Sequence, residues 1–325
     1  VAAPPVSLRS VVVTGAGGFV GQETCAALLR AGHSVRALTR RPFAVPDLRE
    51  AQFTLALVED LATAERLEQL LAGADAVVHL AARVHRVAEK ASSAAGAYQR
   101  DVHIAKVLAA AARRVGVQRL VFLSSIKALG ERSPPHEPLA RTSTPHPADP
   151  YGRSKLAIER QLAAFAAATG LGVVVIRAPL VYGPGAGANF RQLVRWVRRG
   201  TPLPLAGVHN RRSIVGIDNL ANCIVRCLGP LGDSFSTFHV GDAAPVSTPQ
   251  LLRYVAEGLD VPARLFTVPR SLLEALCGLV GREDLATKLL SSLEFETADS
   301  FAQLAWRPGT DTKEGIARAI RAMKF

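Results

Sequence analysis

Thr14-Gly15-Ala16-Gly17-Gly18-Phe19-Val20-Gly21 decides how this chain is read. The stretch follows a β-branched run, Ser10 to Thr14, and leads into residues Gly21 to Arg30, whose apolar positions recur at helical spacing. Between a strand and a helix, glycines let a diphosphate approach the backbone, and the helix N-terminus turns its positive end toward that charge. The glycines stand at 15, 18 and 21, a TGxxGxxG spacing rather than GxGxxG. An ordinary glycine turn is the plainer alternative, and the strand before and helix after it favour a phosphate loop.

Working outward, short β-branched runs alternate with Ala/Leu-rich stretches, the pattern of βαβ units that build a parallel sheet. Strands are expected at Ser10 to Thr14, Ser34 to Leu38, Thr54 to Val58, Ala76 to Leu80, Arg119 to Ser124 and Gly172 to Arg177. Helices are expected at Gly21 to Arg30, Ala64 to Leu71, Gly96 to Val115 and Pro150 to Ala168, each ending near a glycine. The regularity fades after Arg177. Gly/Pro-rich turns at Gly183 to Gly187 and Gly200 to Gly207 flank a basic helix, Asn189 to Arg199, and a last helix is expected at Asp311 to Ala322. This later composition suggests loops and short elements around a ligand rather than further sheet. The expected architecture is α/β: a doubly wound parallel sheet over residues 1–178, then a smaller substrate-binding lobe over 179–325. Within that lobe, about 213–245 is expected to return to the first domain. The Pro-rich stretch Ser133 to Pro150 is expected to be a substrate-facing loop.

The composition, 49% hydrophobic and 20% charged over 325 residues, is that of a globular protein and excludes disordered or fibrous classes. Lys and Arg total 39 against 27 Asp and Glu, a net charge of +12 that calls for an anionic partner. No aromatic interleaving, helix-turn-helix signal or zinc module accompanies that charge, so nucleic acid is not expected as the partner. The four cysteines, Cys25, Cys223, Cys227 and Cys277, form no CxxC and no disulfide framework, which fits the cytoplasm. No metal site is expected, since Cys223 and Cys227 supply only half of one. No stretch has the length of a signal peptide or a membrane span, so neither is expected.

In a dinucleotide fold, an acidic residue after the second strand grips the ribose 2′-hydroxyl, whereas arginine suits a 2′-phosphate. Here Thr39-Arg40-Arg41-Pro42 occupies that place, which favours NADP(H), with NAD(H) possible. The bland alternative is that Arg40 and Arg41 are solvated loop residues. Asp60 and Leu61 follow the third strand near the expected adenine, and Leu80, Ala81 and Ala82 follow the fourth beside the cofactor's middle. After the fifth strand come Ser124 and Ser125, and downstream Tyr151-Gly152-Arg153-Ser154-Lys155 opens a helix. Tyr151 and Lys155, four apart, share a helix face. A phenol titrates near pH 10, so proton transfer with a sugar hydroxyl or ketone needs nearby positive charge, which Lys155 and an oxidised nicotinamide can supply. Ser125 is placed to hold the reacting oxygen.

Taken together, Gly15, Gly18, Gly21, Ser125, Tyr151 and Lys155 resemble the extended short-chain dehydrogenase/reductase family, in particular its nucleotide-sugar epimerases, reductases and dehydratases. Arg177-Ala178-Pro179-Leu180-Val181-Tyr182-Gly183-Pro184 is similar to the family's RPxxVYGP stretch, and Arg212 to Asn219 to a further segment. The resemblance implies a Rossmann-type sheet and a cofactor set completed by Phe19, Val20, Ser124, Tyr151, Lys155 and Pro179. It implies that Asn189 and Arg212 meet the diphosphate of a nucleotide sugar, UDP-linked by preference, with Arg282 or Lys288 as a further cation. Leu203 and Leu205 would pack on the base. It also implies a homodimer through the helices near Gly96 to Val115 and Pro150 to Ala168.

Departures from the family pattern narrow the chemistry. Relatives that dehydrate carry an acidic pair directly after the catalytic hydroxyl residue, where this chain has Ile126-Lys127, so dehydration is not expected. Two reactions stay open: reduction of a UDP-4-keto sugar at C4, which the arginines after the second strand favour, and C4 epimerisation through a transient 4-ketone. A non-catalytic dinucleotide sensor is disfavoured because both Tyr151 and Lys155 are kept. Asp101 and Leu180 stand where many relatives have asparagine. Lys127, unusual beside a catalytic serine, is expected to face the sugar or a phosphate.

Overall fold

The alternation along β1 (Ser10–Thr14) shows how the sheet is built. Val11 and Val13 point to one face, where they pack with Cys25, Leu28, Leu220 and Ile224. Val12 points to the other, against Leu67, Leu71, Leu108, Ile158 and Leu162. A strand buried on both faces must be apolar throughout, and sheets of that kind are parallel ones covered by helices.

The computed structural model describes residues 9–44, 52–62, 64–81, 91–134, 136–279, 281 and 283–323. After β1 come α1 (Phe19–Arg30), β2 (Ser34–Thr39), β3 (Phe53–Leu57), α2 (Ala64–Leu71), β4 (Ala76–His79), α3 (Ala91–Arg114), β5 (Arg119–Ser125), α4 (Pro150–Thr169) and β6 (Gly172–Ala178). The later part holds β7 (Leu180–Tyr182), α5 (Ala188–Arg198), β8 (Ile214–Gly216), α6 (Ile217–Arg226) and β9 (Phe235–His239). It closes with α7 (Thr248–Gly258), α8 (Arg270–Leu279), α9 (Glu283–Leu290), α10 (Ala298–Gln303) and α11 (Thr312–Arg321).

Seven parallel strands lie in the order β3-β2-β1-β4-β5-β6-β9, a Rossmann-like sheet. The chain runs outward from β1 to β3 and then returns to the other side of β1 at β4. Such a reversal leaves a crevice at the carboxyl ends of the central strands, where ligands of these sheets bind. A third apolar cluster, with Tyr182, Phe190, Val194, Leu252, Val255 and Ile316 at its centre, forms the core of the later elements. Among the described residues no helix is long and apolar enough to cross a membrane.

The reading of loops without further sheet concerns the turns from Gly183 to Gly207; the outer strand of the sheet lies beyond them, within 213–245. β9 pairs with β6 from Val173–Phe235 to Arg177–His239 and forms the outer strand. Its sequence, Phe-Ser-Thr-Phe-His, carries little β-branched character; the exposed edge of β6 supplies the pairing that makes it a strand. The four helices α7 to α10 also escaped a periodicity reading, as expected of short helices that depend on packing against neighbours. The stretch 133–150 contains turns and an isolated bridge, Leu139 to Phe295, but no helix or longer strand among its described residues before α4.

Candidate active site

Gly15 turns the chain at the end of β1 with φ +70, and a Cβ there would lie 2.7 Å from the Ala81 nitrogen. A Cβ on Gly21 would lie 2.2 Å from the Gly15 carbonyl oxygen. Both positions therefore need glycine so that α1 can start close under the loop. Gly18 caps α1 with extended backbone and without any side-chain hydrogen bond. The α1 N-terminus thus keeps N–H groups for an anion, at the switch point of the sheet. Phe19 and Val20, in its first turn, are partly buried, and the Phe19 ring faces the loop at Gly183 after β7. A dinucleotide diphosphate fits this bare, uncapped cradle.

Arg40 and Arg41 are exposed at the end of β2. The Thr39 hydroxyl donates to the Arg41 carbonyl at 2.9 Å and fixes the turn that carries them. Asp60 accepts from the Ala62 N–H at 2.9 Å and pairs with Arg100 of α3 at 2.7 Å. These contacts, led by the Ala62 hydrogen bond, hold its carboxyl below the ordinary value. Leu61, beside it, is partly buried. Leu80 and Ala81 continue β4 beside β1: their N–H groups donate to the Thr14 carbonyl and hydroxyl at 3.1 and 3.4 Å. Ala82 lies outside the described residues.

β5 and α4 bring Ser125, Tyr151 and Lys155 together. Ser125 ends β5, and its hydroxyl is close enough to the Tyr151 phenol to act on its ionisation. Lys155 is 3% exposed, and its ammonium donates to the Leu123 carbonyl at 3.0 Å and sits 5.7 Å from the Tyr151 ring centroid. Burial pulls Lys155 down to about 8, against the opposing charges of Asp101 and Glu159. Tyr151 moves the other way. Burial pushes its phenol up to about 12, with the Ser125 hydroxyl opposing and the charge of Asp149 adding to the rise. The expected lowering by Lys155 is absent from what acts on the phenol in the protein alone, where burial disfavours phenolate. Ser124, also 3% exposed, donates to Glu159 on α4, whose carboxylate receives Arg177 of β6 at 2.7 and 3.1 Å. That buried pair ties β5, α4 and β6 behind the trio.

The expected substrate residues are more dispersed. Arg212 donates to the Ser291 carbonyl at 2.8 Å, and burial brings its guanidinium down to about 10, still charged near neutrality. Leu205 is 5% exposed within the third apolar cluster, whereas Leu203 is partly open and bridges to Leu265 instead of entering a longer strand. Pro179 is partly buried between β6 and β7. Asn189 lies in the first turn of α5, but its side chain is outside the described set, and Arg282 is wholly outside it. The Lys127 ammonium, expected to face sugar or phosphate, is held by Glu131 at 2.5 Å and Asp149 at 2.6 Å.

Sequence reasoning missed Glu159, Glu131 and Asp149, all acidic residues that act through buried or half-buried cations. Only Asp149-Pro150 was visible as a helix start, with an acceptor at the cap and proline in the first turn. His79 was passed over as well. It accompanies Thr14 at 2.7 Å, and burial, aided by the Lys155 charge, pulls it down to about 3, so it is neutral here.

Similar proteins match nearly the whole chain. A UDP-glucose 4-epimerase of Vibrio cholerae is 33% identical over 97% of this chain and 95% of its own length. A UDP-glucose 4-epimerase structure from Thermotoga maritima, with UDP-glucose, superposes with a TM-score of 0.76 at 21% identity, covering 97% of this chain and 98% of that one. A UDP-N-acetylglucosamine 4-epimerase from Bacillus cereus has the same fold, with a TM-score of 0.76 at 20% identity over 98% of this chain and 100% of that one. The pattern of the NAD dependent epimerase/dehydratase family matches residues 11–241, which span the phosphate loop, the Ser125-Tyr151-Lys155 trio and β9. The chain belongs to this family.

Proposed function

We propose that the protein inverts the C4 hydroxyl of a UDP-sugar. The observation that carries this reading is the phenol of Tyr151, beside the Ser125 hydroxyl and underlain by Lys155, next to the glycine loop after β1. The 33% identity with the Vibrio cholerae UDP-glucose 4-epimerase supports epimerisation over the other reactions of the family.

Gly15, Gly18 and Gly21 and the α1 N-terminus would hold the diphosphate of a nicotinamide dinucleotide, with Arg40 or Arg41 at the adenosine end. When bound, that group supplies a hydride acceptor at C4 and, oxidised, a positive charge near the phenol. Tyr151 takes the proton of the C4 hydroxyl as the 4-ketone forms and later returns a proton to the oxygen on the other face. Ser125 holds that oxygen as its charge changes. Lys155, fixed by the Leu123 carbonyl, keeps a cation beneath the phenol. Arg212 is the cation we assign to the sugar diphosphate.

A second reading, C4 reduction of a UDP-4-keto sugar with NADPH, is favoured by the two exposed arginines after β2. One experiment separates the two. Purified protein is incubated with UDP-glucose, UDP-N-acetylglucosamine and UDP-4-keto sugars, with NADPH absorbance and product NMR followed together. Equilibration of gluco and galacto forms without net NADPH loss is the expected result. Net loss with a 4-keto sugar would make the protein a reductase, and no turnover of either kind would overturn both. Tyr151→Phe should lower turnover by about 10²–10⁴-fold in either case. We also propose a homodimer through α3 and α4, to be checked by light scattering.

A further inference from the structure

We propose that Lys127 is a positioning residue that sets the approach of Tyr151 to Ser125. The inference rests on the reading of Tyr151 as the proton-transfer group. Three parts of this one residue reach three parts of the site. Its N–H donates to the Ser125 hydroxyl at 3.3 Å. Its carbonyl oxygen lies so close to Gly152 that a Cβ there would be 2.3 Å away. Its ammonium donates to Asp149 Oδ2 at 2.6 Å, while the other oxygen of that carboxylate caps α4 through the Gly152 N–H at 2.6 Å. Tyr151 is thus flanked by the two residues, Asp149 and Gly152, that Lys127 grips.

The grip is electrostatic as well as geometric. The groups around the phenol are Ser125 from β5, Tyr98 and Asp101 from α3, and Asp149 and Lys155 from the α4 side. Asp149 acts against phenolate formation, and Lys127, in turn bonded to Glu131 at 2.5 Å, offsets that charge. Burial works against the Lys127 ammonium, yet its bonds to Asp149 and Glu131 hold it above the usual lysine value. It therefore stays a cation throughout the working pH range. Ionised Asp149 without Lys127 would face the phenol uncompensated and cap α4 from a freer position.

The test uses the full-length protein. Tyr151 ionisation is read from the tyrosinate absorbance difference between each protein and its Tyr151→Phe counterpart, which needs no substrate. In parallel, kcat and KM for UDP-glucose and UDP-N-acetylglucosamine are measured across pH. Lys127→Met should move the tyrosinate transition, and the rise of kcat/KM, to higher pH by about one unit, with kcat near neutrality down about tenfold. KM should change less than about twofold, because no bound sugar contact is lost. Lys127→Arg should restore most of the shift. Glu131→Gln, which leaves the Lys127–Asp149 pair and removes a competing carboxylate, should move the transition the other way, and it serves if Lys127→Met does not fold. An unmoved transition in both Lys127→Met and Glu131→Gln overturns the proposal. So does a KM rise with kcat kept, which would make Lys127 a substrate contact. If the wild-type protein turns over neither sugar, the proposed function falls, while the tyrosinate titration still decides the role of Lys127.

Discussion

The phosphate loop and the joint between β7, β8, α6 and α11 are both held at close range, but by opposite means. In the loop, contact comes from leaving side chains out: Gly15 and Gly21, six residues apart, let backbone touch backbone. In the joint it comes from one buried side chain, Asp242. Its carboxyl accepts from the Gly216 N–H at 3.0 Å and Asn219 at 2.8 Å, and from Tyr182 at 2.6 Å and Thr312 at 3.0 Å. Thr312 lies 70 residues from Asp242 and Tyr182 60 residues from it. Burial, first of all, raises the Asp242 carboxyl above the ordinary value, and it raises Tyr182 as well. A local device leaves a spacing in the sequence. A long-range one leaves single polar residues that look like any others.

Breaking the joint should have the largest effect. Asp242→Ala strips four donors of a buried acceptor and should cost roughly 3–5 kcal/mol of stability, each orphaned donor being worth about 1–3 at most. Chemical denaturation measures it, and a cost under about 1 kcal/mol would mean the apolar cluster alone holds the joint. Breaking the loop should cost less stability but more binding. Gly21→Ala forces a Cβ into the Gly15 carbonyl, for about 1–3 kcal/mol of overpacking. Isothermal titration with NAD and with NADP should show affinity reduced in the variant, whereas Asp242→Ala, where still folded, should bind normally. Equal loss of affinity in both would dissolve the contrast.

The smallest effect compares the regions through two buried histidines, His79 on β4 and His239 on β9. Burial, with a nearby cation in each case, pulls both down to about 3. A histidine with depressed folded pKa takes up its proton in the unfolded chain first. Its stabilising contribution is therefore complete above about pH 6.5 and is lost as pH falls toward about 3. Between pH 6.5 and 5.5 each should remove about 1 kcal/mol. Denaturation midpoints of the wild type and of His79→Gln and His239→Gln across that window check it, each variant losing about half of the slope.

Much of the first region was legible. The predicted strands up to Arg177 agree with β1 to β6 to within a residue or so at each end, because a strand buried on both faces must be apolar and β-branched, and each helix return is marked by glycine. The placement of Tyr151 and Lys155 was legible for a related reason: four residues apart on α4, they share a helix face, so their spacing is local. The substrate side was less so. Leu205 looked like a base contact and is buried in the core, and Lys127 looked like a ligand contact and holds two carboxylates.

By itself, then, the sequence determined the parallel α/β sheet and the tight glycine turn between β1 and α1, and its spacing placed Tyr151 and Lys155 on one helix face, since each is encoded in periodicity or in short-range spacing. Only the tertiary structure decided which edge of the sheet β9 pairs with, that Glu159 meets Ser124 and Arg177, and that Asp242 gathers four partners. A strand edge, a buried ion pair and a shared carboxyl are satisfied by groups distant along the chain. Their energies depend on desolvation and on which donors arrive, and neither exists until the chain has folded.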